Sequence, residues 1–159
     1  MENNFNIRKL CKKDIKQILK LRIDLIKHTS STFKDTAVDE DSLFKSTNKY
    51  LKNNLNKRLF MYGVFINNQL VCIGGYELFQ CFPSEDNLIG LEAHLCSIFT
   101  IPEFRKRGYG SQIIDLCIND AKSKGVVKLK LGTLNPEAIK IYEKFGFHKS
   151  NSTYSLKIN

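Results

Sequence analysis

The chain has 159 residues, of which 42% are hydrophobic and 26% are charged. This balance is typical of one globular domain and excludes a disordered chain. No apolar run approaches the ~20 residues that a membrane-spanning helix needs, so we expect no membrane partner. The formal net charge of +9 comes with lysines that are spread along the chain. That distribution predicts solvated lysine-rich surfaces and a local anion-binding site rather than a nucleic-acid partner.

Cysteine usage bears on the compartment of the protein. The five cysteines occur singly, with no CxxC pair and an odd total, which argues against a disulfide framework and against a zinc site. Residues 1–13 lack the apolar core of a secretory signal. We therefore expect a protein of the reducing cytoplasm.

The N-terminal third has the pattern of one strand and two helices. Polar and apolar residues alternate over residues 5–10, which predicts a strand. Helical spacing of apolar side chains predicts a helix over residues 13–27, and a cluster of acidic side chains from Asp39 predicts a second helix over residues 39–55. The stretch between them, residues 28–36, is rich in serine and threonine and predicts a loop.

A hairpin is predicted next. Residues 59–66 and 70–79 are rich in Val, Ile, Phe and Tyr, and Asn67-Asn68 lies between the two runs. Gly74-Gly75 inside the second strand predicts a bulge or a close approach of the backbone to a neighbour. Residues 83–87 contain proline, serine and asparagine and predict a surface loop.

The second half of the chain alternates strands and helices. The pattern predicts, in order, a strand over residues 91–100, a helix over 108–124, a strand over 126–131, a helix from Asn135 to Gly146, and one or two strands over 147–158. We find no internal repeat or low-complexity linker that divides the chain, so we expect a single domain.

The loop before the helix at 108–124 carries Arg105-Lys106-Arg107-Gly108-Tyr109-Gly110-Ser111. A turn here directs backbone N–H groups toward solvent at the positive end of a helix, which suits phosphate groups. The two glycines let a ligand approach the backbone, and the three cations add donors. The GxxxxGK[ST] and GxGxxG phosphate motifs do not fit this sequence. A Walker loop and a dinucleotide fingerprint are therefore not indicated.

Two motifs together resemble the signatures of the GNAT family of N-acetyltransferases. The first is Arg105-x-x-Gly108-x-Gly110, which follows a strand closed by Pro102. The second is the run NPEAIKIYEKFGF, from Asn135 to Phe147. Both motifs stand in the family's order and at its usual separation.

The resemblance implies an α/β (α+β) single-domain fold over residues 1–159. Its sheet would be twisted, mixed and mostly antiparallel, with flanking helices and a splayed pair of parallel strands at residues 91–100 and 126–133. Residues 91–147 would form the acetyl-CoA-binding core. Residues 1–58 would supply a strand and two helices on the acceptor side.

The resemblance further implies acetyl-CoA as the cofactor, with its pantetheine arm between the splayed strands and bonded to their backbone. By that correspondence Ile98 and Thr100 contact the arm, and an N–H near Ile98 or Phe99 polarises the thioester carbonyl. Asn135 touches the arm, caps the last helix, or does both. The pyrophosphate is expected on the basic loop, that is on Arg105, Lys106, Arg107, Gly108, Tyr109, Gly110 and Ser111.

Catalytic roles are implied in the same way. Tyr142 occupies the position of the proton donor to the departing CoA thiolate. His94 stands eleven residues before Arg105, where the histone-acetylating branch has a glutamate as general base, and Glu92 shares its strand face. The base is therefore His94, Glu92 or a water relay. Cys96 also shares this face, but no activating partner is evident for a cysteine-acylated route, so direct transfer is favoured.

These inferences define the predicted function, which is transfer of an acetyl group from acetyl-CoA to a primary amine of a small molecule or a protein. The alternative is a CoA-binding regulatory module whose catalysis has decayed. The predicted partner is an amine-bearing acceptor, held by the two N-terminal helices, their loop and residues 80–90. The sequence specifies neither this acceptor nor the oligomeric state, for which a homodimer is one arrangement.

Overall fold

The computed structural model describes residues 5–33, 39–150, 156 and 158. Within these residues one mixed sheet has the strand order β1-β2-β3-β4-β5. The first three pairs are antiparallel, and β4 and β5 are parallel. The strands are β1 (Phe5–Lys9), β2 (Leu59–Ile66), β3 (Gln69–Gln80), β4 (Leu91–Thr100) and β5 (Lys128–Lys130).

Four α-helices flank this sheet: α1 (Ile15–Phe33), α2 (Glu40–Asn54), α3 (Tyr109–Ser123) and α4 (Pro136–Lys144). Residues of α1 and α2 join one buried apolar cluster, on the sheet face of Met61, Ile73 and Phe99. Residues of α3 and α4 pack into a second cluster, on the face of Val71 and Leu95. The predicted architecture is therefore confirmed. None of the described helices is long and apolar enough to cross a membrane.

Local signals in the sequence account for most element boundaries. Asn67 and Asn68 have φ angles of 48° and 65°, which are the left-handed values that a two-residue hairpin turn needs. Asp39 accepts a hydrogen bond from the N–H of Ser42 and caps α2, and Asn135 caps α4 in the same way through Glu137. The predicted hairpin and both predicted helix starts are thus confirmed.

The predicted loop at residues 28–36 is wrong over residues 28–33, which continue α1. The hydroxyl of Thr29 donates to the carbonyl oxygen of Leu25 at 2.9 Å, so this residue satisfies its side chain inside the helix instead of breaking it. Residues 34–36 lie outside the described residues. At the other end of the chain, residues 147–150 form no strand, and most of the remaining predicted strand segment lies outside the described part.

Gly74 and Gly75 mark a close approach, as predicted. A Cβ atom on Gly74 would lie 2.3 Å from Cδ1 of Ile98 and 2.5 Å from Cγ2 of Ile113. The register against β4 also shifts here, because Ile73 pairs with Phe99 whereas Gly75 pairs with Cys96. Two steps along β3 thus correspond to three along β4, so the extra residue of the bulge belongs to β4.

Asp14 fixes the start of α1 to β1. This residue is 3% exposed and accepts hydrogen bonds at 2.7 Å from both terminal nitrogens of Arg8. The N–H of Cys11 donates to the same carboxylate at 2.9 Å. The Arg8 hydrogen bonds, with those of Cys11, outweigh burial and lower the pKa of Asp14 to about 2. The Arg8–Asp14 ion pair therefore stabilises the junction between β1 and α1.

Candidate active site

The parallel strands β4 and β5 pair over only three residues. Glu92, Ala93 and His94 of β4 lie opposite Lys128, Leu129 and Lys130 of β5. Beyond His94, β4 continues to Thr100, whereas residues 131–135 leave the sheet. The strand predicted over 126–131 is therefore shorter than expected, since it covers only Lys128–Lys130. The edge of β4 after His94 consequently faces a gap. An extended ligand in this gap can form hydrogen bonds with the backbone of β4.

The bulge in β4 lies beside this gap. Ser97 has a φ angle of 58°, and the register shift leaves one residue of β4 without a partner on β3. Ile98 follows the bulge and is half-buried, whereas the side chain of Phe99 is buried against α1. The bulge therefore offers backbone donors near Ile98, where the sequence predicts a contact with the thioester. Thr100 differs, because its carbonyl oxygen already accepts from Nε of Arg105 at 3.0 Å.

The basic loop ends in an open helix N-terminus. Lys106 and Gly108 have φ angles of 61° and 78°, and no side chain caps α3 at Gly108. The N–H groups of the first helical residues therefore have no acceptor within the helix. A Cβ atom on Gly110 would meet only Cγ2 of Ile98, at 3.9 Å, and one on Gly108 would meet no atom within 4 Å. This open, donor-lined space fits a pyrophosphate group.

Two arginines of the loop lie against aromatic rings. The guanidinium of Arg105 lies 5.7 Å from the ring centre of Phe99, and that of Arg107 lies 4.9 Å from the ring centre of Phe104. Both side chains, like that of Lys106, are exposed. A guanidinium has five donors, so these contacts leave N–H groups that can reach a phosphate. The loop thus combines backbone donors with three exposed cations.

The ring of Tyr109 is engaged in a contact with β1. The ring stacks on Phe5 of β1, with 5.7 Å between the ring centres. Ser111 follows Tyr109 and Gly110 in the first turn of α3 and is half-buried. The predicted phosphate contacts of these three residues are therefore contacts of the first helical turn.

Tyr142 lies on α4, on the α3 side of the sheet, and its ring meets Phe147 edge-on at 5.8 Å. Burial raises the pKa of its phenol, and the thiols of Cys117 and Cys96 add to this effect. The phenol therefore keeps its proton at neutral pH, as a proton donor must. Asn135, at the start of the same helix, accepts from the N–H of Glu137 at 3.0 Å, so its predicted capping role is confirmed.

His94 and Glu92 lie on the opposite face, but their surroundings differ. His94 is exposed, and its ring meets Phe79 edge-on at 6.0 Å. Glu92 is half-buried and forms an ion pair with Lys130, while Nζ of Lys128 lies 4.0 Å from its other carboxylate oxygen. The carboxylate is therefore occupied by cations of β5, whereas the imidazole is open to a ligand.

Three residues near His94 were missed by the sequence analysis. Glu77 of β3 lies directly opposite His94 in the β3–β4 register. Nε of Arg58 lies 2.9 Å from a carboxylate oxygen of Glu77, and burial, followed by the nearby Glu77 carboxylate, raises the pKa of the Tyr50 phenol on α2. The alternation of side chains along β3 places Glu77 on this face. Its position beside His94 depends on the register of β3 against β4, which the 81–90 loop connects.

A solved structure with the same fold binds the expected cofactor. The chain superimposes on a predicted acetyltransferase from Clostridium acetobutylicum, solved with acetyl-CoA, with a TM-score of 0.84 and 22% identity, over 97% of this chain and 96% of that one. At this identity the likeness shows a shared fold with that acetyltransferase. Residues 23–147 match the Acetyltransferase (GNAT) family. The chain therefore belongs to this family, whose enzymes transfer an acetyl group from acetyl-CoA.

Two curated relatives match a shorter stretch of the chain. An uncharacterized N-acetyltransferase of Methanocaldococcus jannaschii is 39% identical over 59 residues, which are 36% of this chain and 26% of that protein. The [ribosomal protein bS18]-alanine N-acetyltransferase of Salmonella typhimurium is 34% identical over 61 residues, or 37% of this chain and 41% of that protein. The matched stretch thus spans less than half of each relative.

Proposed function

We propose that this protein is an acetyl-CoA-dependent N-acetyltransferase that acts on a primary amine by direct transfer. The observation that carries this proposal is the gap between β4 and β5, which leads to the open helix N-terminus at Gly110. Acetyl-CoA supplies the acetyl group as an activated thioester, and its CoA thiol is released when the new C–N bond forms. A primary amine and acetyl-CoA thus give an amide and free CoA.

The proposed cofactor site follows the gap from end to end. The pyrophosphate binds the N–H groups of the first turn of α3, and the guanidinium and ammonium groups of the loop balance its charge. The pantetheine arm bonds to the free edge of β4 around Ile98 and passes Asn135. Residues 91–147 form this cofactor core in our proposal, and residues 1–58 lie on the acceptor side. The cofactor-binding residues are Ile98, Phe99, Thr100, Arg105, Lys106, Arg107, Gly108, Tyr109, Gly110, Ser111 and Asn135.

Two protons move on opposite faces of the sheet. His94, whose imidazole is exposed, accepts a proton from the acceptor amine, directly or through water. Tyr142, whose phenol stays protonated because of burial, donates a proton to the departing thiolate. Glu92 is the second candidate for the base, but its ion pair with Lys130 favours His94.

Direct transfer is supported by the state of Cys96. Burial raises the pKa of its thiol, and this effect outweighs the nearby Arg22 charge. A cysteine-acylated route needs a thiolate, which this environment disfavours. Membership of an acetyltransferase family and a protonated Tyr142 also favour an enzyme over a decayed CoA-binding module.

The acceptor is the amine of a small molecule or a protein in the cytoplasm. The Salmonella relative acts, by its name, on an alanine of a ribosomal protein, which makes protein N-termini one class to test. The test is a screen of amino acids, amino sugars, polyamines and N-terminal peptides for release of CoA thiol from acetyl-CoA. We expect release that depends on one class of amine. Binding of acetyl-CoA without release for any class would contradict the proposed enzyme.

A further inference from the structure

The sheet face that carries His94 also carries a carboxylate without a role in the proposed function. Glu77 lies directly opposite His94 in the register, and directly opposed side chains of an antiparallel pair have Cβ atoms about 4.5–5.5 Å apart. The imidazole and the carboxylate therefore project side by side toward the face on which α1 and α2 pack. An amine that reaches His94 from this face therefore lies close to Glu77.

Glu77 is held in place by an ion pair. Arg58, which precedes β2, pairs with it at 2.9 Å, and the Arg58 side chain is 50% exposed. Tyr50 of α2 lies nearby, and burial, with Glu77 as the second cause, raises the pKa of its phenol. Because half of the Arg58 side chain is exposed, water and salt screen its charge. Arg58 therefore orients the carboxylate without cancelling its attraction for a ligand cation.

The second carboxylate on this face is less available. Glu92 faces two lysines of β5, Lys128 and Lys130. Its side chain is 13% exposed, compared with 21% for Glu77. Glu77 is thus the more accessible carboxylate beside His94, and it has one basic partner rather than two.

We propose that Glu77 binds the ammonium group of the acceptor and holds it beside His94, with Arg58 as a positioning residue. This inference rests on the proposed acetyl transfer to an amine. A primary amine near a pKa of ~10 enters as an ammonium ion at neutral pH, and a carboxylate is its natural partner. His94 then takes one proton, and the neutral amine keeps the lone pair that the transfer needs. The nitrogen loses its second proton to solvent as the C–N bond forms, and the thiolate takes the proton of Tyr142, which solvent restores.

The experiment uses two CoA thioethers of nearly equal size. S-(2-aminoethyl)-CoA places an ammonium group beyond the sulfur, and S-propyl-CoA places a methyl group there. Calorimetric titration gives the Kd of each for the wild type, for Glu77→Gln and for Asp115→Asn, a control that removes an exposed carboxylate on the far side of the sheet. We expect the wild type and the control to bind the ammonium thioether about ten-fold more tightly, and Glu77→Gln to bind both equally.

Equal affinity of the wild type for the two thioethers would overturn the proposal, as would a preference that survives in Glu77→Gln. An unchanged Kd of Glu77→Gln for S-propyl-CoA shows that the variant is folded. If Glu77→Gln does not fold, Glu77→Asp replaces it. We expect the shorter carboxylate to weaken the preference for the ammonium thioether over S-propyl-CoA. An unchanged ratio of the two Kd values would contradict the proposal. Failure of the wild type to bind S-propyl-CoA would contradict the proposed function itself, and this inference with it.

Discussion

Glu92 of β4 forms an ion pair with Lys130 of β5, the residue that pairs with His94 in the strand register. This contact lies at the last paired position before the two strands separate. The ion pair engages the carboxylate of Glu92, which is the second candidate for the general base beside His94. The relationship leads to a kinetic test that separates the two side chains.

We expect His94→Ala to lower kcat by about 10²-fold, the low end for removal of a general base. A general base accepts a proton only in its unprotonated form, so the wild-type rate should fall in acid. The variant should lose this acid limb beyond the titration of the acceptor amine itself. A pH–rate profile measures the difference.

Glu92→Ala is the matched variant for this profile. If His94 is the base, the acid limb remains in Glu92→Ala. Loss of the limb in Glu92→Ala and its retention in His94→Ala would assign the base to Glu92. A profile that neither variant changes would assign the proton to solvent.

Tyr142→Phe tests the proposed proton donor. The phenylalanine keeps the edge-on contact with Phe147, so we expect unchanged folding and CoA affinity. Turnover should fall by about 10²-fold, because the thiolate loses its donor. Full activity of the variant in a thiol-release assay would show that Tyr142 serves only in packing.

Asp14→Asn tests the junction of β1 and α1. The pKa of Asp14 is lowered to about 2 from an ordinary value near 3.8. The charged carboxylate therefore contributes to the free energy of unfolding above pH ~4, and this contribution is lost as the pH falls through ~2. The shift corresponds to about 2 kcal/mol at neutral pH. We expect urea unfolding to show this loss for Asp14→Asn at pH 7 and a smaller difference near pH 3.

The control for this stability measurement is Asp115→Asn, since Asp115 is exposed and accepts one hydrogen bond from Asn119 at 3.2 Å. Its unfolding free energy should stay within about 0.5 kcal/mol of the wild type. Equal stability of Asp14→Asn and Asp115→Asn at pH 7 would contradict the assigned role of the Arg8–Asp14 pair.

Local chemistry explains why much of the fold was predictable. Asn67-Asn68, Asp39 and Asn135 act through their own backbone and nearest neighbours, so their turn and caps can be inferred from short stretches of sequence. The basic loop is predictable for the same reason. Thr29 shows the limit, because a serine- and threonine-rich stretch can continue a helix when its hydroxyls bond to the preceding turn.

The acceptor side was less accessible from sequence because it depends on long-range register. Alternation along β3 predicts which face Glu77 occupies, but its neighbour on β4 depends on the 81–90 loop and on the bulge at Ser97. The neighbours Tyr50 and Arg58 come from a helix and a turn whose distance from β3 no local pattern specifies.

The central claim is that the open turn at Gly110 binds the pyrophosphate of CoA. A side chain at this position has room in the protein itself, since its Cβ would meet only Ile98, at 3.9 Å, but it would fill the space proposed for the phosphates. Asn119→Val places the same side chain on an exposed position further along α3 and serves as the control.

Calorimetric titration of CoA into the wild type, Gly110→Val and Asn119→Val is the most direct measurement. Loss of two or three charge-assisted hydrogen bonds, at ~1.5–3 kcal/mol each, predicts at least a ~10²-fold weaker Kd for Gly110→Val. Asn119→Val should bind CoA as the wild type does. An unchanged Kd for a folded Gly110→Val would contradict the cofactor site on which this account depends.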